Sequence, residues 1–348
     1  MIDDDTDRED FQGHGRTTNT SRNVSFAAMC GLGVALMGCQ SLAPQPAQVV
    51  YADRPCWRVS NGTVDVVVNP DTGRIVRYGF VGQGNILWEN PRATEFAPNP
   101  GDWKNWGGDK VWPWPQSAWP TAIGRGWPPP GDGDIPPYTV EPIPAGLRMT
   151  SAVLPQLGLR VIRDITLAAT GSRVTIRSRL EPAGTSRPAT AWAAWTITQT
   201  PIPDLILARL DPTARQDAHP FEGHASFPAV QRFGNVVHLA SDPSKSCKVG
   251  LEADRLAGVF GDVLFVQSIV PGKTTAGAYM PGEKAQLYAD SIANAHPAGV
   301  TPYLEMELTA PHLNRRAAGS TLTVTWQLRR LTADEREPAA LDRLVERL

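Results

Sequence analysis

The chain is poor in the features that usually declare a function. Only four cysteines and six histidines occur in 348 residues, so a cysteine-rich metal scaffold or a disulfide-dense small fold is excluded. Basic and acidic residues nearly balance, 33 against 35, and no basic stripe is present, which argues against nucleic acid as a partner. The apolar stretch 23–38 is shorter than the roughly 20 residues of a permanent membrane helix, and no later apolar run is long enough to span a membrane. Nucleophile motifs of the Gly-x-Ser-x-Gly kind are missing. Pro271-Gly272-Lys273-Thr274 mimics the end of a phosphate-binding loop, but Gln267 stands where a glycine is required. Asp132-Gly133-Asp134 lacks the downstream acid of a calcium loop. No cofactor is implied.

Glycine and proline are plentiful, 31 and 32 residues, which disfavours long helices and favours short strands joined by turns. Residues 1–22 are polar. Residues 23–38 are uncharged, small and apolar, and Arg16 and Arg22 form a basic flank, so residues 1–38 read as a secretory signal. The stretch ends Leu36-Met37-Gly38-Cys39, which resembles the lipobox of bacterial lipoproteins. That resemblance implies a lipid on Cys39 and a membrane contact through the lipid alone. Gln40 after the cysteine points to the outer membrane, facing the periplasm. Residues 39–55 then form the lipidated N-terminus and a linker, rich in small and polar residues. In an oxidising compartment Cys56 and Cys247 are expected to form a disulfide; two buried thiols are the alternative.

The remainder is patterned as an all-β protein. Residues 173–180 and 322–328 alternate apolar and polar side chains. Residues 63–68, 158–167, 190–200, 263–270 and 302–308 are further strands, separated by turn clusters such as Asn69-Pro70-Asp71 and Thr170-Gly171-Ser172. One domain over residues 56–331, built from packed antiparallel sheets, is the expected architecture. Thr332 and Glu335 have capping-box spacing, and residues 332–348 are expected to form a short C-terminal helix.

Two segments could carry chemistry. Residues 102–128 hold six of the eleven tryptophans: Trp103, Trp106, Trp112, Trp114, Trp119 and Trp127. No period organises them, so a long structured loop or very short strands are expected. Flat rings beside Asn105, Lys110 and Gln116 suit a carbohydrate, whose C–H face lies on a ring while its hydroxyls bond to side chains. Trp106, Lys110, Trp112, Trp114, Gln116 and Trp119 are the candidate ligand contacts; rings that merely staple the loop are the alternative. The second segment is Tyr303-Leu304-Glu305-Met306-Glu307-Leu308. As a strand it points Tyr303, Glu305 and Glu307 to one face, with the two carboxylates about 7 Å apart and able to perturb each other for proton transfer. The alternative is a solvated outer face. His219 and His224, with Glu222 between them, have conceivable metal spacing but read better as a surface loop, and no metal site is assigned.

Asn85-Ile86-Leu87-Trp88-Glu89-Asn90-Pro91, the run Asn105 to Gln116, and the C-terminal pieces Pro281 to Tyr288, Tyr303 to Pro311 and Trp326-Gln327-Leu328 are similar to the DUF4380 family. The likeness covers about residues 57–330. It implies the galactose-mutarotase-like fold, an antiparallel β-supersandwich with a sugar-binding cleft on one concave face. In the aldose epimerases of that group a late-strand glutamate is the base; its place resembles Glu305 or Glu307. Their histidines do not carry over: Trp195-Thr196-Ile197-Thr198-Gln199 lies where the histidine segment would be. Three readings therefore stand: an anchored saccharide-binding lipoprotein, a mutarotase-type enzyme with a Glu305 or Glu307 base, and a structural envelope protein without a ligand.

Overall fold

The computed structural model describes residues 43–90, 92–96, 103–127, 134, 137–184, 190–294, 299–312 and 319–348. Residues 1–38, expected to be a signal, and Cys39 lie outside the described residues. Two ten-stranded antiparallel sheets make up the body. The first runs β1 (Gln45–Tyr51), β2 (Arg54–Ser60), β3 (Val64–Asn69), β4 (Arg74–Phe80), β5 (Asp109–Trp114), β10 (Ala193–Pro201), β19 (Tyr303–Thr309), β18 (Ala285–Ala289), β15 (Cys247–Leu251) and β12 (His219–Pro220). The second runs β13 (Ala229–Phe233), β14 (Val236–Ala240), β11 (Leu205–Leu210), β16 (Ala253–Phe260), β17 (Val263–Ile269), β20 (Ser320–Arg330), β9 (Val174–Pro182), β8 (Leu159–Leu167), β7 (Gly146–Ser151) and β6 (Tyr138–Ile143).

The alternation read from the sequence is what packs the two layers. In β8 every second residue, from Leu159 to Leu167, is buried and the residues between are half-exposed. Ile165, Ile176, Val324, Leu304, Met306 and Leu308 belong to one continuous apolar core. Polar groups also cross that core. Arg163 of β8 pairs with Asp109 of β5, both fully buried, and the Thr198 hydroxyl lies 2.8 Å from the same carboxylate. A buried ion pair is stable only when further hydrogen bonds support it; here the Asp109 carbonyl accepts a second Arg163 N–H at 3.2 Å, while Arg163 Nε is left unbonded among the described residues.

The C-terminal helix begins later than its cap suggests. Thr332 and Glu335 do bond reciprocally, at 3.1 and 3.3 Å, but what they cap is the single turn Asp334–Arg336. The helix itself is Pro338–Arg347, and Leu341, Leu344 and Val345 press onto the outer face of the second sheet. No helix among the described residues is long and apolar enough to cross a membrane.

The expected disulfide is not formed. Cys56 and Cys247 are free, buried thiols. They lie in β2 and β15 of the same sheet, with six strands between them. Seven strand spacings amount to about 33 Å, against the roughly 7 Å limit between bridged Cα atoms. Position along the chain does not reveal that separation, since it arises from strand order.

Candidate functional site

The outer face of the first sheet is assembled by register. β19 pairs with β10 so that Glu305 faces Gln199 and Glu307 faces Ile197. β10 pairs with β5, placing Lys110 beside Ile197, Trp112 beside Trp195 and Trp114 beside Ala193. On the other flank Gln286 of β18 lies beside Glu307 and Tyr288 beside Glu305, and Lys248 of β15 lies beside Tyr288. Two rows result. One holds Gln199, Glu305, Tyr288 and Lys248; the next holds Lys110, Ile197, Glu307 and Gln286. Side chains alternate across a strand, so these all project from the face opposite Leu304 and Met306.

The two glutamates have different surroundings. Glu307 is 0% exposed, accepts Lys248 Nζ at 3.0 and 3.3 Å, and accepts Trp195 Nε1 at 2.9 Å. Its charge is matched, and it reads as a fixed structural anion. Glu305 is half-buried and accepts one bond, from Gln199 Nε2 at 2.9 Å. Burial pushes its carboxyl up to about 7; Lys110 and Lys248 pull it down, while Glu307 adds to the rise. Burial and the charge of Arg74 push the Lys110 ammonium down to about 8, against Asp134, Glu305 and Glu307. Tyr303 and Tyr288 flank the same carboxylate. Burial pushes Tyr288 up to about 12 and holds Tyr303 well above the usual phenol range.

Several of these groups have no partner. Lys110 is 3% exposed and its Nζ makes no hydrogen bond; it stands 3.7 Å from the ring centre of Trp112. Both polar atoms of the Gln286 amide, Gln199 Oε1 and Thr309 Oγ1 are likewise buried and unbonded among the described residues. Native proteins leave few such groups. Their convergence on one face marks a place where a polar ligand fits.

The tryptophans divide into staples and surfaces. The expected loop contains a central strand: Lys110, Trp112 and Trp114 alternate along β5, all six residues of which are buried. Trp112 donates to Asp134 at 2.6 Å, and Asp134 also pairs with Arg74 at 2.9 Å. Trp119, 2% exposed, donates to the Pro113 carbonyl at 2.9 Å. Trp112, Trp114 and Trp119 all pack against Trp195, 5.1–6.4 Å between ring centres. These rings are a rigid wall, and Trp112 and Trp119 offer no open face. Trp114 reaches a neighbouring cleft of about 480 Å³, lined also by Gln116, Phe221, His224, Gly250 and Glu283. There its Nε1 donates to Glu283 Oε2 at 3.2 Å, and His312 bonds the same oxygen. Trp106 sits on the other side, in a second cleft of about 510 Å³ with Tyr51, Arg54, Asn69, Glu89 and Asn90.

The glycines of the motif hold these pieces together. A Cβ on Gly107 would lie 2.2 Å from the Trp88 carbonyl, and one on Gly108 2.3 Å from that of Ile75; both residues have positive φ. Gly108 N donates to Trp88 O, and Trp88 N to Gln199 O, both at 2.8 Å, which stitches the Asn85–Asn90 stretch onto β10. His219 and His224 line the same cleft as Trp114 but form no ligand set of three His, Cys, Asp or Glu side chains among the described residues. His219 approaches Glu252 at 3.6 Å, while His224 stacks near Tyr288 with its pKa lowered by burial and by Lys248. Among the described residues no group of three His, Cys, Asp or Glu side chains could hold a metal ion.

The architecture can now be compared with known structures. A galactose mutarotase-like protein from Lactobacillus casei superposes with a TM-score of 0.52 at 9% identity, over 79% of this chain and 100% of that one. The fold is galactose-mutarotase-like. A protein of Escherichia coli K12 provisionally named an aldose 1-epimerase gives 0.50 at 12% identity, over 82% and 100% of the two chains. One from Salmonella typhimurium provisionally named a mutarotase gives 0.50 at 11%, over 82% and 94%. No protein-family model and no curated relative matches the chain, so the likeness to DUF4380 rests on its motif residues alone. At such identities the galactose-mutarotase-like architecture is shared and the chemistry is not thereby transferred.

Lys248 and Gln286 escaped the sequence reading. Each is a single polar residue in a buried apolar strand, Cys247–Leu251 and Ala285–Ala289. A buried lysine or glutamine in such a run was the available signal; its partner was not, because Glu307 lies 59 residues from Lys248.

Proposed function

We propose that this protein binds a carbohydrate on the outer face of the first sheet, around Glu305. The observation that carries the reading is the set of buried, unbonded groups on that face: Lys110 Nζ, the Gln286 amide and Gln199 Oε1, beside a half-buried Glu305. A sugar hydroxyl both donates and accepts, so one ligand class can satisfy an ammonium, an amide and a carboxylate together. The galactose-mutarotase-like fold is consistent with such a ligand. The test is isothermal titration of the full chain with mono- and oligosaccharides. At least one is expected to bind, and Glu305→Gln is expected to weaken it by tenfold or more. No binding across neutral and acidic sugars would remove the reading.

A second reading has its own support. Glu305 titrates near 7, where a general base is most effective, and Lys110 and Tyr288 share its face as possible proton donors. In mutarotation a base takes the anomeric hydroxyl proton while an acid protonates the ring oxygen; the ring C–O bond opens and recloses on the other face. Polarimetry of freshly dissolved aldoses tests it: a rate above the buffer that vanishes in Glu305→Gln supports turnover, and a buffer rate with intact binding leaves a binding protein.

We also propose a lipid anchor at Cys39, on the strength of Leu36-Met37-Gly38-Cys39 and the uncharged stretch before it. Cys39→Ser is expected to move the protein from the membrane to the soluble fraction; an unchanged distribution would remove the anchor.

A further inference from the structure

The cleft beside Trp106 carries a charge with no counterpart. The Arg54 guanidinium lies 3.8 Å from the Trp106 ring centre, and it makes no hydrogen bond or ion pair among the described residues. The ring covers the guanidinium from one side, and its N–H groups find no acceptor among the described residues. Trp106 Nε1 is a second donor there, buried and unbonded. Two carboxylates line the same cleft, Glu89 and Asp53, and neither pairs with Arg54. Glu89 Oε2 accepts the Tyr51 hydroxyl at 3.0 Å, and Asp53 is exposed on the turn between β1 and β2. The cleft thus presents unmet donors that call for an anionic acceptor.

The position of the cleft says what the acceptor belongs to. Val76 lines it. Ile75 pairs with Asp109, which pairs with Thr198, and Thr198 with Met306, so Val76, Gly108, Gln199 and Glu305 form the adjoining row across β4, β5, β10 and β19. Three strand spacings separate the cleft floor from Glu305, about 14 Å, more than one hexose ring covers. Trp106, which walls the cleft, follows Asn105 in the segment that leads into β5 and Lys110.

We propose that the ligand of this face is an acidic oligosaccharide, with one sugar at Glu305 and a uronate carboxylate of another unit held by Arg54 beside Trp106. This rests on the carbohydrate reading and narrows it to a substrate class. A planar carboxylate matches the guanidinium fork edge to edge with two parallel hydrogen bonds.

The probes are trigalacturonate, its trimethyl ester and a sulfated neutral trisaccharide, titrated by calorimetry into the full chain and into Arg54→Met. The acid is expected to bind at least tenfold tighter than the ester. Arg54→Met is expected to bring the acid to the level of the ester and to leave ester binding unchanged, while Arg54→Lys recovers part of the difference. Equal binding of acid and ester, equal weakening of both by Arg54→Met, or a preference for the sulfated sugar over the acid overturns the uronate assignment; the carbohydrate reading survives if Glu305→Gln still abolishes binding. If no saccharide binds, the carbohydrate reading itself falls and takes this inference with it. Arg54 is half-exposed, so an unchanged melting temperature for both variants certifies the comparison.

Discussion

The outer faces of the two sheets are built from the same alternation and end up as opposites. On the second sheet, Arg148 pairs with Asp164 at 2.6 Å and Arg179 with Glu181 at 2.9 Å, all of them reached by water. What water does not cover there is either apolar and sealed by Leu341, Leu344 and Val345 of the C-terminal helix, or hydrogen-bonded, as Thr323 is to the Lys273 carbonyl and Ser268 to Arg255. On the first sheet, Lys110, Glu307 and Gln286 are buried, and only Glu307 has its full set of partners. Exposed pairs cost little to make and contribute little. Buried, half-satisfied groups are costly, and the cluster of them around Glu305 fits the proposed ligand there.

The contrast can be broken by measurement. The largest effect is expected from Lys248→Met, which leaves Glu307 buried without its counter-charge and should lower the unfolding free energy by about 3–5 kcal/mol in urea titration. A loss under 1 kcal/mol would mean that Glu307 is not desolvated as described.

Next in size is Glu305→Gln. The folded carboxyl is raised from 4.5 to about 7, so between those values the unfolded chain loses a proton that the folded chain keeps. Stability therefore falls as pH rises through that window, and the full cost is present above it. Glu305→Gln should stabilise the protein by about 2 kcal/mol at pH 8 and not at pH 4, while abolishing ligand binding. Lys110 works in the other direction: lowered from 10.5 to about 8, it costs stability below 8 and returns it between 8 and 10.5. A stability minimum near pH 7–8 in thermal melts is the joint signature of the two groups; its absence would show them more solvated than the burial implies.

Trp119→Phe keeps the ring packing and removes the bond to the Pro113 carbonyl, so a loss of about 1 kcal/mol with unchanged ligand affinity is expected. A large affinity change would move Trp119 from wall to contact. The smallest effect belongs to the second sheet, where Arg148→Met should cost under about 1 kcal/mol and leave binding untouched.

Much of the fold was legible because burial on one side of a strand imposes period two. β8, β9, β17, β19 and β20 fall within a few residues of their expected spans. The same rule placed Glu305 and Glu307 on one face, away from Met306. β5 was illegible because it is buried on both faces, so Val111 and Pro113 are as hidden as Lys110 and Trp112 and no alternation remains. The cysteine pairing failed for a different reason, since two thiols in one sheet can be seven strand spacings apart.

The order of residues by itself determined which stretches are strands and which face of each is apolar. Strand order and register decided the tertiary pairings: that Lys248 neutralises Glu307, that Glu305 is left half-buried, that Trp112 and Trp119 became walls, and that Arg54 makes no ion pair among the described residues. Local physics sets the period of a strand, because alternation is a property of neighbouring residues. Charge pairing and burial depend on residues 59 or 106 positions away, such as Lys248 with Glu307 and Gln199 with Glu305, and only the folded sheet brings those within 3 Å.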